Sequence, residues 1–223
     1  MLDVQAKSDK PQRTQRNTEF RKSHLNLPLC NSVSSVAYQL WLGLVSKRVG
    51  VRYRPCMPLF TRHADGSFRA DTSRVVGDVT VGADASFWFG AVVRGDVAQV
   101  RIGSKVNVQD NAVVHCDSGV PNVIEDDVVI GHGAVVHGMF VGEGSLIGMS
   151  ATVLGKSKIG RECLIAAGAV VPPGLDVPDR MVVMGVPGKI VRPVKPEELQ
   201  YMRWLRDHYV ELAKKYVGGA FDK

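Results

Sequence analysis

The chain has 223 residues, 45% of them hydrophobic and 22% charged, which supports a folded core and excludes a wholly disordered or collagen-like protein. A formal charge of +6 and a pI near 9.2 suggest nucleic acid until the charge is located. Ten Lys and Arg against three acids in residues 1–54 give +7 and leave about −1 for residues 55–223, so no nucleic-acid partner is expected.

Residues 1–54 read as a basic arm followed by an amphipathic helix. The first 25 residues hold no apolar core, so no secretory signal is expected. Their basic, acid-poor composition suits an organellar address, mitochondrial in first place, with plastid or cytoplasm as alternatives. Over 33–49, Val33, Val36, Ala37, Leu40, Trp41, Leu44 and Val45 recur at i, i+3, i+4, i+7, i+8, i+11 and i+12. That is one apolar stripe of a helix, with Asn31 or Ser32 as its cap and Gly50 just beyond its end. Trp41 among aliphatic residues, with Lys47 and Arg48 at the end, suits a membrane surface or a partner's groove. Cys30, Cys56, Cys116 and Cys163 form no C-x-x-C pair, as expected of thiols in a reducing compartment. No run of 18 apolar residues predicts a membrane span.

Residues 55–195 contain a repeat. An aliphatic, β-branched or Phe residue recurs every six positions: Val75, Val81, Phe87, Val93; Ile102, Val108, Val114; Ile124, Ile130, Val136; Val141, Ile147, Val153, Ile159, Ile165, Val171. Glycine follows directly at Gly82, Gly103, Gly131, Gly142, Gly148 and Gly160. This period predicts a parallel β-helix, each hexapeptide giving a short strand and a turn. Breaks at 93→102 and 114→124 read as loops inserted at corners. Residues 196–223 predict a C-terminal helix, opened by Pro196 with Glu197 and Glu198 at its positive dipole end. Its stripe of Leu199, Met202, Leu205, Tyr209, Leu212 and Tyr216 is expected to pack on the prism or a neighbouring protomer, with Trp204 lying off the stripe.

The repeat resembles that of the left-handed β-helix family, whose coils are triangular prisms of three hexapeptides per turn. The resemblance implies a mainly β protein, a left-handed parallel β-helix with flanking N-terminal and C-terminal helices. Hexapeptide acyltransferases and γ-class carbonic anhydrases both belong there. Ala166–Val171 and Gly185-Val186-Pro187-Gly188-Lys189 resemble segments shared by both.

Three histidines choose between them. With three units per coil, His115 and His137 are second residues of the seventh and tenth units, on one face of consecutive coils. Strands ~4.8 Å apart let both imidazoles reach one ion with bonds of ~2.0–2.1 Å. His132, in the ninth unit, lies on another face and does not complete that site within one chain. A threefold trimer solves the geometry, giving three His₃ sites, each with an open fourth position, as in catalytic zinc. Arg94 falls on the face of His115 and His137; Gln109 and Asp110 fall on the face of His132. His24, His63 and His208 have no such register.

Arg94-Gly95-Asp96, Val108-Gln109-Asp110-Asn111, Val114-His115 and Gly131-His132-Gly133-Ala134-Val135-Val136-His137-Gly138 resemble the signature runs of γ-class carbonic anhydrases, and the likeness covers about residues 68–195. It implies Zn²⁺, or Fe²⁺ or Co²⁺ as in some members, held by His115 and His137 of one chain and His132 of the next. It also implies that Gln109 hydrogen-bonds the metal's water, and that Arg94, Asp96 and Asp110 hold the cleft and trimer together. Such a site lowers a water pKa toward ~7, and the resulting hydroxide attacks CO₂ to give bicarbonate. The sequence departs from the pattern at Val97, where the best-studied type of member has glutamate. The loop 116–123 is short, with Asp117 as its only acid. These departures bear on proton removal rather than on the metal.

Eukaryotic relatives of the family serve as subunits of mitochondrial respiratory complex I on the matrix side of the inner membrane, and this chain resembles them in its helix before the repeat. A docking role for residues 1–54 in a membrane-bound assembly follows, in a homotrimer or a heterotrimer with paralogues. One alternative function is a catalytically weak or inactive structural subunit. Another is an acyltransferase, which would need an acyl-CoA groove and usually one histidine.

Overall fold

The computed structural model describes residues 58–221, so the arm and helix expected over 1–54 lie outside the described residues. From Phe60 the chain winds in short strands around three faces. The first face stacks seven strands in parallel: β2 (Phe68–Ala70), β4 (Ser86–Phe87), β6 (Asn107–Val108), β9 (Val129–Ile130), β12 (Leu146–Ile147), β15 (Leu164–Ile165) and β18 (Met181–Met184). The second face holds the first halves of β3 (Arg74–Val81) and β5 (Val92–Ile102). It continues through β7 (Val113–Val114), β10 (Val135–Val136), β13 (Thr152–Val153) and β16 (Val170–Val171). The third begins with the second halves of β3 and β5, followed by β8 (Asn122–Ile124), β11 (Phe140–Val141), β14 (Lys158–Ile159) and β17 (Asp176–Val177). The protein is a mainly β, parallel β-solenoid.

Each face has one inward column, and the six-residue period writes it. Phe87, Val108, Ile130, Ile147, Ile165 and Val183 fill the first face; Val93, Val114, Val136, Val153 and Val171 the second; Ile102, Ile124, Val141, Ile159 and Val177 the third. All are 0–3% exposed, and full burial of each such side chain is worth about 1.5–3 kcal/mol. Val177 and Val183 carry the same six-residue period past Val171, through the corner at Pro172-Pro173-Gly174.

Corners are as regular as faces. Asp84, Lys105, Asp127, Gly144, Glu162 and Arg180 occupy the same corner of successive coils, all with φ between 50° and 70°. That left-handed conformation costs about 1–2 kcal/mol per non-glycine residue. It is offset by a ladder of backbone bonds between coils, such as Asp127 N–H to Ser104 O at 2.9 Å and Arg180 N–H to Arg161 O at 2.7 Å. Coils approach so closely at Gly131 that a Cβ there would lie 2.7 Å from the Met149 amide nitrogen. Of the two expected insertions, 114→124 is a corner loop. The other is absorbed inside β5, which advances five residues (Gly95 to Val100) while β3 advances two (Gly77 to Val79).

Both ends of the first face reverse direction. β1 (Phe60–Arg62) pairs antiparallel with β2, and β19 (Lys189–Pro193) antiparallel with β18. The C-terminal helix α1 (Pro196–Val217) then lies along this face. Glu198 fixes its start: one oxygen accepts the Lys195 backbone N–H at 2.8 Å, and both accept the Arg192 guanidinium at 2.8 Å. Met202 packs with Val129, Leu146, Val182 and Val194, and Ala213 with Phe60, Phe68, Ala70 and Trp88. The predicted stripe faces the solenoid, while Tyr201 and Trp204 are more than half exposed. Among the described residues no helix is long and apolar enough to cross a membrane.

Candidate metal centre

Two outer columns carry the polar chemistry. Val93, Val114, Val136, Val153 and Val171 pair in register, so the residues that follow them, Arg94, His115, His137, Leu154 and Pro172, rise in one line. Val108, Ile130, Ile147 and Ile165 likewise place Asp110, His132, Met149 and Ala167, two residues on, in a second line along another corner.

His115 and His137 meet as their register requires. Nδ1 of His115 lies 3.2 Å from Nε2 of His137, with ring centroids 5.1 Å apart. The outer nitrogens face carboxylates: His115 Nε2 is 2.9 Å from Asp96 Oδ1, and His137 Nδ1 is 3.5 Å from Asp117 Oδ1. Asp96 accepts from a protonated His115 Nε2, which leaves His115 Nδ1 as the acceptor that faces His137 Nε2. Two nitrogens bonded at ~2.0–2.1 Å to a tetrahedral ion lie about 3.3–3.4 Å apart, so the observed gap already matches one edge of such a site.

Asp96 is drawn below the ordinary carboxylate range by hydrogen bonds from Arg94 and then from His115, which keeps it ionised as the histidine's acceptor. Arg94 reaches Asp96 directly. Asp117 seats against Gly155, where an added Cβ would collide with its Oδ2. Burial pushes the neighbouring Cys116 thiol up, and both Cys116 and Cys163 are buried and free.

His132 sits apart from that pair. Its Nδ1 is 2.8 Å from Asp110 Oδ2, and its backbone N–H donates to Gln109 Oε1 at 3.1 Å. Gln109 is 3% exposed and has its carbonyl engaged, so its NH₂ is the end left to donate. The Tyr209 hydroxyl lies 3.3 Å from His132 Nε2. Burial, and then the Asp110 charge, raise the Tyr209 pKa, so the phenol keeps its proton. Among the described residues of one chain, no three His, Cys, Asp or Glu side chains gather at ligand spacing. Sequence reasoning gave Tyr209 only a packing role and left Asp117 without a partner. Tyr209 comes from α1, 77 residues from His132, and no repeat register links the two. His63 bonds Thr61 and His208 stacks on Trp204, both away from these lines. A groove of about 560 Å³ between α1 and the solenoid edge is also away from them, and its Arg161, Arg180, Arg203 and Arg206 are all held in ion pairs.

Six-residue units wound into a parallel solenoid define a hexapeptide-repeat protein, and the comparisons agree. Residues 138–173 match the family described as bacterial transferase hexapeptide (six repeats). A solved hexapeptide transferase family protein from Anaplasma phagocytophilum superposes with a TM-score of 0.64 at 33% identity, over 68% of this chain and 89% of that one. The "Probable carbonic anhydrase" of Methanocaldococcus jannaschii is 45% identical over 140 residues, covering 63% of this chain and 88% of that protein. "Gamma carbonic anhydrase 2, mitochondrial" of Arabidopsis thaliana is 36% identical over 172 residues, 73% of this chain and 62% of the plant protein. The chain belongs to the γ-class carbonic anhydrase family of hexapeptide-repeat proteins.

Proposed function

We propose that the protein hydrates CO₂ to bicarbonate at metal-dependent clefts between three copies of the chain. The observation that carries this reading is the facing pair His115 Nδ1 and His137 Nε2, 3.2 Å apart, with the outer nitrogens 2.9 Å from Asp96 and 3.5 Å from Asp117. His115 and His137 hold the cation together with the partner subunit's His132. Asp110 fixes the tautomer and angle of His132, Gln109 anchors its backbone, and Arg94 holds Asp96 in place. A divalent cation bound by three neutral imidazoles lowers the pKa of water toward 7, so hydroxide is available at neutral pH. Zn²⁺ suits imidazole ligands, and Fe²⁺ or Co²⁺ suit the same set. Met149 and Leu154, apolar and next in each line, support closure of the cleft between copies.

Residues 1–54, basic and of helical period over 33–49, are proposed to dock the trimer to a membrane-bound assembly such as respiratory complex I, on the matrix side of the inner mitochondrial membrane. The mitochondrial names of the Arabidopsis relatives support a mitochondrial location. Metal analysis of the purified protein with stopped-flow CO₂ hydration tests the function. One metal per chain, with hydration abolished by a chelator, is expected; absence of stoichiometric metal overturns it. The exposed Val97, where the best-studied type of member has glutamate, favours a second reading, a structural subunit with an intact site, which metal without measurable hydration would select.

A further inference from the structure

We propose that Asn122 is a positioning residue for the metal, a role that rests on reading the cleft as a metal-dependent CO₂ site. Its side-chain amide spans the two coils that carry His115 and His137. Nδ2 donates to the backbone carbonyl of His115 at 2.7 Å and to that of Val136 at 3.2 Å. The first carbonyl belongs to the peptide leaving His115, the second to the peptide entering His137. One NH₂ group, with a proton for each, thus ties the backbones of both candidate ligands together.

The chain needs such a tie at this corner. After His115 it leaves the coil for the loop 116–121 and returns at Asn122, the first residue of β8. The ladder between coils holds His115 through its N–H, which donates to Val136 O at 3.1 Å, and Asn122 adds the carbonyl side. Ligand atoms must be held within about 0.5 Å of their working places, so the fixing of His115 on both sides of its Cα bears directly on the gap to His137. The other half of the amide points the same way. Asn122 is fully buried, and its Oδ1 has no protein partner. An apolar side chain would avoid the cost of burying that oxygen, so the donor half is what the position gains. Ser157 stands at the corresponding place farther along the solenoid, and its hydroxyl donates to Leu154 O at 2.5 Å. There one donor to one carbonyl closes a corner without histidines; beside the histidines stands a side chain that reaches two coils.

The test uses the full-length protein in competition with a chelating dye for Zn²⁺, with the visible spectrum of the Co²⁺-loaded protein and urea melts of the metal-free protein alongside. Asn122→Ala, with its circular dichroism spectrum unchanged, is expected to bind Zn²⁺ about 10–100-fold more weakly than wild type and to shift the cobalt bands. Asn122→Ser keeps a donor of shorter reach and is expected to fall between the two, at least about threefold below wild type. Ser157→Ala loses a bond of the same kind to Leu154; it is expected to lower the urea midpoint and to bind Zn²⁺ like wild type. Affinities of the Asn122 variants within about twofold of wild type overturn the role. An equal loss of affinity in Ser157→Ala also overturns it, since any loosened corner would then act alike. If Asn122→Ala does not fold, Asn122→Ser is read by the same rule. A wild type that takes up no metal fails differently, removing the reading of the cleft itself.

Discussion

From Val93 to His137 the outer corners of the solenoid carry Arg94, His115 and His137 in one line and Asp110 and His132 in the other; farther on, the same lines carry Leu154 and Pro172, and Met149 and Ala167. The inward residues do not register the change. Val136 pairs with Val153 and Ile130 with Ile147 as evenly as any others in the stack, all of them fully buried. Fold and chemistry therefore occupy different positions of the same hexapeptide. The backbone delivers a corner residue to a fixed place, and the identity of that residue decides between a polar and an apolar contact.

The largest expected effects fall on the inward positions. Ile147→Ala, fully buried, is expected to lose about 2–5 kcal/mol in chemical denaturation. His137→Ala, at a corner, should cost the metal-free protein under about 1 kcal/mol. Equal losses for the two would erase the distinction. Metal affinity should show the opposite preference. His137→Ala is expected to weaken metal binding roughly a hundredfold or more, and Asp110→Asn about 10–100-fold by freeing the His132 ring, both read by competition with a chelating dye. If Asp110→Asn binds as wild type, the carboxylate has no orienting role.

At the apolar end of the lines, Met149→Glu with Leu154→Glu is expected to leave the circular dichroism spectrum intact, dissociate the copies in sedimentation velocity and release the metal. Retention of the metal by a dissociated chain would refute a site shared between copies. The smallest effect lies outside both regions. Arg192, and then the Lys195 amide, hold the Glu198 carboxyl down at about 2, below its ordinary value of 4.5. The folded state thus favours the ionised form, a contribution fully present above pH 4.5 and lost as pH falls toward 2. Glu198→Gln is expected to cost about 1 kcal/mol at pH 7 and close to nothing near pH 2, measured by urea melts at both.

The pairing of His115 with His137 is legible in sequence because period and coil number together fix which residues stack. Separation of His132 from that pair follows from the same count. What the repeat does not encode was not legible. The extra residues of β5 remain in extended backbone, so a strand stands where a loop was expected. Asp117 reaches His137 only because Gly155, on a later coil, leaves room for its carboxylate. Tyr209 reaches His132 only because α1 docks through Met202 and Ala213 along the first face. Each of these contacts joins the repeat to something outside it, and local periodicity carries no information about such encounters.

Parallel coils finish on unpaired strands, and an unpaired strand is a template on which further chains can grow. Here the polypeptide doubles back before that can happen. β1 lies against the chain direction at one end and β19 at the other, while Gly188 N–H closes on Val170 O at 2.7 Å over the last strand of the second face. At both ends of the first face, and at the C-terminal end of the second, the strand edges are thereby covered within the molecule, which disfavours head-to-tail growth there.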